Sequence, residues 1–122
     1  MVMAKKYIPK RGDIVWTDFS PAAGHEQMGK RPVIVLSPSV FNIKIQLALV
    51  APVTSPVRGH GFEVPLEGKK ISGVVLCHQV KTNDFVERGL QFAEKVPANV
   101  ISEVLAKVKA IVSGLEFGGH LT

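Results

Sequence analysis

The 122-residue chain is 46% hydrophobic and 20% charged, with fifteen Lys+Arg against ten Asp+Glu and a formal net charge of +5. That length fits one domain over residues 1–122 with a true hydrophobic core, and the apolar share excludes a disordered chain. No apolar run nears the roughly 20 residues of a membrane span, "MVMAKKYIPKRGD" lacks the apolar centre of a signal peptide, and the lone Cys77 suits a reducing cytoplasm.

The positive balance favours a polyanionic partner. Six of the fifteen cations (Lys5, Lys6, Lys10, Arg11, Lys30 and Arg31) precede residue 32, where only three acids oppose them. From the amino terminus, "DIVWTDF" (13–19) alternates between Gly12 and Ser20-Pro21 and reads as a strand. "RPVIVLS" (31–37) is a continuously apolar strand, with Pro32 fit only for its start. "IQLALVAPVT" (45–54) follows a turn expected at Phe41-Asn42, and "GFEVPL" (61–66) alternates, with Pro65 marking an edge strand. "GVVLCHQVKT" (73–82) follows the turn-rich "EGKKISG", and a last short strand is expected at "AEKVP" (93–97). Strands at this spacing point to a small antiparallel barrel or sandwich.

From Pro97 the period changes. Val100, Ile101, Val104, Leu105, Val108, Ile111 and Val112 recur at helical intervals, with Pro97 near the first turn and Gly114 as the stop. Lys107 and Lys109 are placed to favour the negative end of the helix dipole. The expected core covers about 7–114, and 115–122 is expected to be a loose tail.

The four histidines and Cys77 have no zinc-like spacing and there is no Walker-type glycine loop, so neither a metal nor a cofactor is expected. The "RGD" at 11–13 opens a strand and reads as coincidence. The polar loop "GHEQMGKR" before the apolar strand is more telling, because it sets His25, Glu26, Lys30 and Arg31 at the strand's mouth. Arg31 begins one strand and Thr54, followed by Ser55, ends the next, so a hairpin brings the two side by side. A surface ion pair between Glu26 and Arg31, with Thr54 capping a turn, explains these residues without chemistry. A guanidinium beside a hydroxyl and a carboxylate is equally a receptor for a phosphodiester. RNA carries its own nucleophile, the 2′-hydroxyl. A protein needs only to align it, accept its proton and stabilise the charge on phosphorus.

The segments "YIPKRGDIVWTDFSPAAGHEQMGKRPVIVLSP", "FN", "LVAPVTS", "FEVPL" and "GVVLCHQVKTND", in that order, resemble the MazF/PemK family of toxin–antitoxin ribonucleases. The resemblance implies a mainly β, SH3-like (CcdB/PemK/MazF-type) small antiparallel barrel with a C-terminal helix. It also implies a homodimer that cleaves single-stranded RNA without metal, leaving 2′,3′-cyclic phosphate and 5′-hydroxyl ends, and a cognate antitoxin that occludes the RNA groove. The family's catalytic arginine falls on Arg31, its catalytic threonine on Thr54 and its loop glutamate on Glu26. Gln79 and Lys81 match a segment lining the RNA groove, and His78 departs from the acidic or amide residue found there. Lys30, Ser55 and Arg58 complete the expected RNA contacts. Two alternatives stay open: a CcdB-like protein that poisons gyrase by binding, and a basic RNA-binding barrel without chemistry. Trp16 is expected in the core or a dimer interface rather than under a base, and Cys77 as an inert buried thiol.

Overall fold

The computed structural model describes residues 7–18, 30–55 and 61–114. Its first strand, β1 (Asp13–Asp18), alternates between two cores rather than between core and water, for Ile14 and Val15 are both fully buried on opposite faces. The same holds for β2 (Lys30–Val35), where "VIV" sends Val33 and Val35 to one side and Ile34 to the other. A strand covered on both faces has no use for polar alternation, so its sequence is a continuous apolar run.

Between β2 and β3 (Ala48–Thr54) the expected turn at Phe41-Asn42 is instead a two-turn helix, α1 (Ser39–Ile45), and β3 begins three residues later than expected. Asn42 is the cause. Its buried amide donates to the carbonyls of Pro9 and Ser37 and accepts from the Ser37 hydroxyl, and that hydroxyl also takes the Leu49 N–H. Local β-branched residues favour a strand, but a fully satisfied buried amide outweighs them.

β4 (Glu63–Glu67) and β5 (Ser72–Leu76) form a hairpin, and the expected strand 73–82 breaks at a turn before β6 (Lys81–Asn83). The break follows from sharing: β3 pairs β5 through Val53 and Thr54 but pairs β6 through Ala48–Val50, on one and the same edge. A short helix, α2 (Phe85–Arg88), capped by the Asp84 carboxylate accepting from the Glu87 N–H, then leads to β7 (Gln91–Lys95), which pairs with β1. The sequence reading missed α2 and started β7 two residues late.

The strand order is β4-β5-β3-β2-β1-β7, with β6 beside β3. The sheet curls until its two outer strands meet. Glu94 of β7 accepts N–H bonds of 3.0, 2.8 and 2.7 Å from Lys69, Lys70 and Ile71 in the β4–β5 turn. The result is a mainly antiparallel half-barrel, with edge strand β4 carrying the exposed Pro65 as its sequence suggested.

The final helix, α3 (Ala98–Ser113), lays Val104 with Val100, Ile101, Leu105, Val108 and Ile111 on the core that holds Ile14, Ile34 and Leu66. Pro97 is its N-cap, and Gly114, at φ 73°, closes it with an N–H bond to the Ala110 carbonyl. Two details of the expected stripe change. Val112 is 82% exposed, and the helix runs far enough that Lys107 and Lys109 lie short of its last turn. Lys107 instead donates to the Gly61 carbonyl at 3.0 Å, tying the helix to the start of β4. Among the described residues no helix is long and apolar enough to cross a membrane.

Candidate active site

β2 opens on two exposed cations, Lys30 and Arg31, and is buried from Val33 onward. Pro32 cannot donate to a ladder, yet its fixed φ makes a firm start for the strand, so the Arg31 backbone is seated on a rigid base. Arg31 pairs with Thr17 of β1. On its other side β2 meets β3 in the register Val33–Pro52, Ile34–Ala51 and Val35–Val50. The ladder ends at Val33–Pro52, so Arg31 and Thr54 each stand two residues beyond the last pair, at the same end of the two strands. Thr54 in turn pairs with Val74 of β5.

Strand alternation gives these residues a common side. Arg31 is in phase with Val33 and Val35, Thr54 with Ala48 and Val50, and Thr17 with Val15, and those five apolar residues make one cluster with Phe85. The smaller core thus ends in a row of polar side chains, Thr17, Arg31 and Thr54. Lys81, opposite Val50, shares this side four residues down β3, about 13 Å from Thr54 at ~3.3 Å per residue.

One further pair on this side was not visible in the sequence. Asn83 and Thr17 are 3% and 0% exposed, and the Asn83 amide donates to the Thr17 hydroxyl at 3.0 Å, 66 residues away along the chain. Its Oδ1 is a buried acceptor that finds no hydrogen-bond partner among the described residues. Arg88 adds a second tie, donating to the Asp18 carbonyl at 2.8 Å. Together they pin the 83–88 segment onto β1 beside the strand that carries Arg31. No local pattern signals such a pair; it exists only because the chain crosses the sheet here.

The remaining expected residues are placed less closely. Lys30 pairs with Asp18 in the ladder, and its ammonium is 3.5 Å from the Gln91 side-chain oxygen. Ser55 is exposed directly after Thr54. His78 and Gln79 lie at the break between β5 and β6, where the Gln79 N–H donates to Leu76 at 3.1 Å. The His78 ring is 6.0 Å from that of Phe62, tilted by 49°, while the Gln79 amide nitrogen is 3.4 Å from its Nε2. His25, Glu26 and Arg58, like the 115–122 tail, lie outside the described residues. Trp16 packs against the larger core. Asp13 is buried and holds β1 in place, accepting from Tyr7, from the Lys10 N–H at 3.1 Å and from Lys95 at 2.9 Å.

Cys77 is buried, and burial pushes its thiol up to about 11; Lys107 opposes this and Glu103 adds to it. A thiol so disposed is no nucleophile at neutral pH. Among the described residues no three of His, Cys, Asp and Glu converge as metal ligands. What the row can do is offer a fixed positive charge and hydroxyls on one side of the sheet to a polyanion.

Residues 10–112 match the family model described as "PemK-like, MazF-like toxin of type II toxin-antitoxin system". The chain is 37% identical over 110 residues to the endoribonuclease toxin MazF of Escherichia coli K12, covering 90% of this chain and 99% of that one. It is 41% identical over 116 residues to the endoribonuclease toxin ChpB of the same strain, again covering 90% and 99%. Its fold superposes on a MazE–MazF crystal structure from Deinococcus radiodurans with a TM-score of 0.82 at 39% identity, covering 88% of this chain and 98% of that one. Sequence and fold therefore agree that this chain belongs to the PemK-like, MazF-like toxins of type II toxin–antitoxin systems, whose relatives named here are endoribonucleases.

Proposed function

We propose that this toxin is a sequence-specific endoribonuclease that cleaves single-stranded messenger RNA in the cytoplasm by in-line attack of the 2′-hydroxyl, without a metal. What supports this reading is the antiparallel pairing of β2 and β3, which leaves Arg31 and Thr54 each two residues past the last ladder pair at one end of a buried strand pair. The 2′-oxygen forms a bond to phosphorus as the bond to the 5′-oxygen breaks, giving a 2′,3′-cyclic phosphate and a 5′-hydroxyl. Charge accumulates on the non-bridging oxygens in between. Arg31, always cationic, stabilises it through its planar fork of donors, and Thr54 donates its hydroxyl hydrogen to one of those oxygens. Arg31 is too basic to accept the 2′ proton, so that task falls to the loop before β2, with Glu26 or His25 as acceptor. The same proton equivalent is returned to the leaving 5′-oxygen.

Lys81, about 13 Å along β3, is suited to a neighbouring phosphate rather than the scissile one, and Lys30 and Ser55 add further contacts to the RNA, with Arg58 as a further candidate from the sequence. His78 and Gln79 belong to base selection. The net charge of +5 steers RNA to this surface. Exposed Val40, Ile43 and Ile45 on α1, with Val86 of α2, support a homodimer that covers them. A cognate antitoxin would neutralise the basic face.

The test is cleavage of total RNA in EDTA, with sequencing of the 5′-hydroxyl ends. One dominant motif is expected for the native chain, and Arg31→Ala should lose at least about 100-fold in rate. A substrate with 2′-deoxyribose at the cleaved position should be inert. Its continued cleavage would exclude the in-line mechanism, and toxicity that survives both Arg31→Ala and Thr54→Ala would favour a protein-binding poison.

A further inference from the structure

We propose that Gly73 is a positioning residue for Thr54, reserving the space that keeps the hydroxyl of β3 in line with Arg31. The inference rests on the reading of Thr54 as part of the cleavage site. β5 joins β3 only at its end, through the pairs Val53–Val75 and Thr54–Val74, so the next residue of β5, Gly73, lies over the peptide that links Thr54 to Ser55.

The approach is unusually close. A Cβ on Gly73 would stand 2.3 Å from the Thr54 carbonyl oxygen, 3.0 Å from its carbonyl carbon and 3.4 Å from the Ser55 nitrogen. Atoms of this kind do not come within 3.0 Å, so at a separation of 2.3 Å the backbones of β5 and β3 would have to part at Thr54. The obstacle is backbone, not the far end of a flexible side chain, and it cannot rotate away. Gly73 also holds φ at 149°, a conformation that side-chain-bearing residues rarely adopt. Both features favour glycine, and both act on the last ladder pair before Thr54 leaves the sheet. The β3–β5 junction is thus built so that β5 braces the Thr54 peptide on one edge of β3, while β2, which carries Arg31, pairs along the other.

The effect of filling this space is a displaced hydroxyl in an otherwise intact hairpin. Misplacement of a reacting group by about 1 Å costs on the order of 100-fold in rate. RNA binding, spread over several cations, should change little, so the loss belongs in kcat and not in KM.

Gly68 provides a control in the same hairpin. A Cβ there would also be crowded, meeting the end of the Glu94 side chain at 2.4 Å and the Ile71 carbonyl at 2.7 Å, but these contacts lie in the β4–β5 turn and not at Thr54. Gly73→Ala and Gly68→Ala are purified alongside the native chain and Thr54→Ala, and folding is followed by the fluorescence of Trp16. Steady-state cleavage of a single-stranded RNA reporter is then measured at a temperature where native chain and variants are folded. The expected result is a fall in kcat on the order of 100-fold for Gly73→Ala with KM within about threefold, and a native kcat for Gly68→Ala. Three results would overturn the proposal: a native kcat in Gly73→Ala, an equal loss in Gly68→Ala, or failure of Gly73→Ala to fold where Gly68→Ala folds. A native chain that cleaves no RNA would instead remove the nuclease reading itself, and that outcome is distinct because it does not depend on either glycine.

Discussion

Thr17 and Asn83 form a buried bond with one atom left over, and that imbalance fixes how the protein should respond to their replacement. The Asn83 amide nitrogen bonds the Thr17 hydroxyl at 3.0 Å, while the amide oxygen has no partner among the described residues, and both side chains are almost completely buried. Thr17→Val keeps the shape but strands the amide nitrogen as well as the oxygen, which should destabilise by about 1–3 kcal/mol. Asn83→Leu removes the unpaired oxygen but leaves a hydroxyl that can turn toward its own backbone, so its loss should be near 1 kcal/mol. The double variant has no buried polar atom left at this point and a nearly unchanged volume. It should lie within about 1 kcal/mol of the native chain, giving a coupling of roughly 1–3 kcal/mol. Urea unfolding followed by the single Trp16 measures all four proteins, at one fixed protomer concentration because association shifts apparent stability. A double variant as unstable as the sum of the single ones would show that the two side chains do not depend on each other. The account of how β6 is held to β1 would then be wrong.

The chain has a single tyrosine, so an ultraviolet titration reports Tyr7 alone. Burial, then the hydrogen bond to Asp13, then its negative charge, push the phenol above its ordinary 10.0. A raised folded value means the contribution to stability is complete below pH 10.0 and lost as pH rises beyond it, so phenolate should appear only with unfolding. Phenolate forming near pH 10.0 in the folded chain would contradict this. Glu94 runs the other way: partial desolvation raises its carboxyl, but the N–H groups of Lys70, Ile71 and Lys69 outweigh that and hold it below its ordinary 4.5. Its contribution is therefore present above 4.5 and fades as pH falls through the depressed value. Glu94→Gln should cost about 1 kcal/mol at neutral pH and almost nothing in acid, given its exposure, and a gap that stays constant in acid would refute the charge argument. Lys81→Ala should weaken RNA binding and lower the slope of log affinity against log salt by about one, as expected for one lost phosphate contact. An unchanged slope would place Lys81 away from the RNA backbone.

Several features were legible in the residues because they are local. "RPVIVLS" must be a covered strand, Pro65 belongs at an edge, and Val100 to Ile111 must face a core as one helical stripe. The antiparallel pairing of β2 with β3 was also readable, since consecutive strands joined by a short connection fold back on each other. Tertiary structure decided the rest. "SVFNIKI" is helical because the Asn42 amide finds the Pro9 carbonyl 33 residues away, a partner that no local window contains. "GVVLCHQVKT" is two strands rather than one because β3 offers a single edge to β5 and β6 in turn. Thr17 meets Asn83, and Gly73 meets the Thr54 carbonyl, only after the sheet has curled and β5 has closed on β3. Periodicity records which side of a strand is buried, whereas the contacts that brace this site join residues that the chain brings together only by folding.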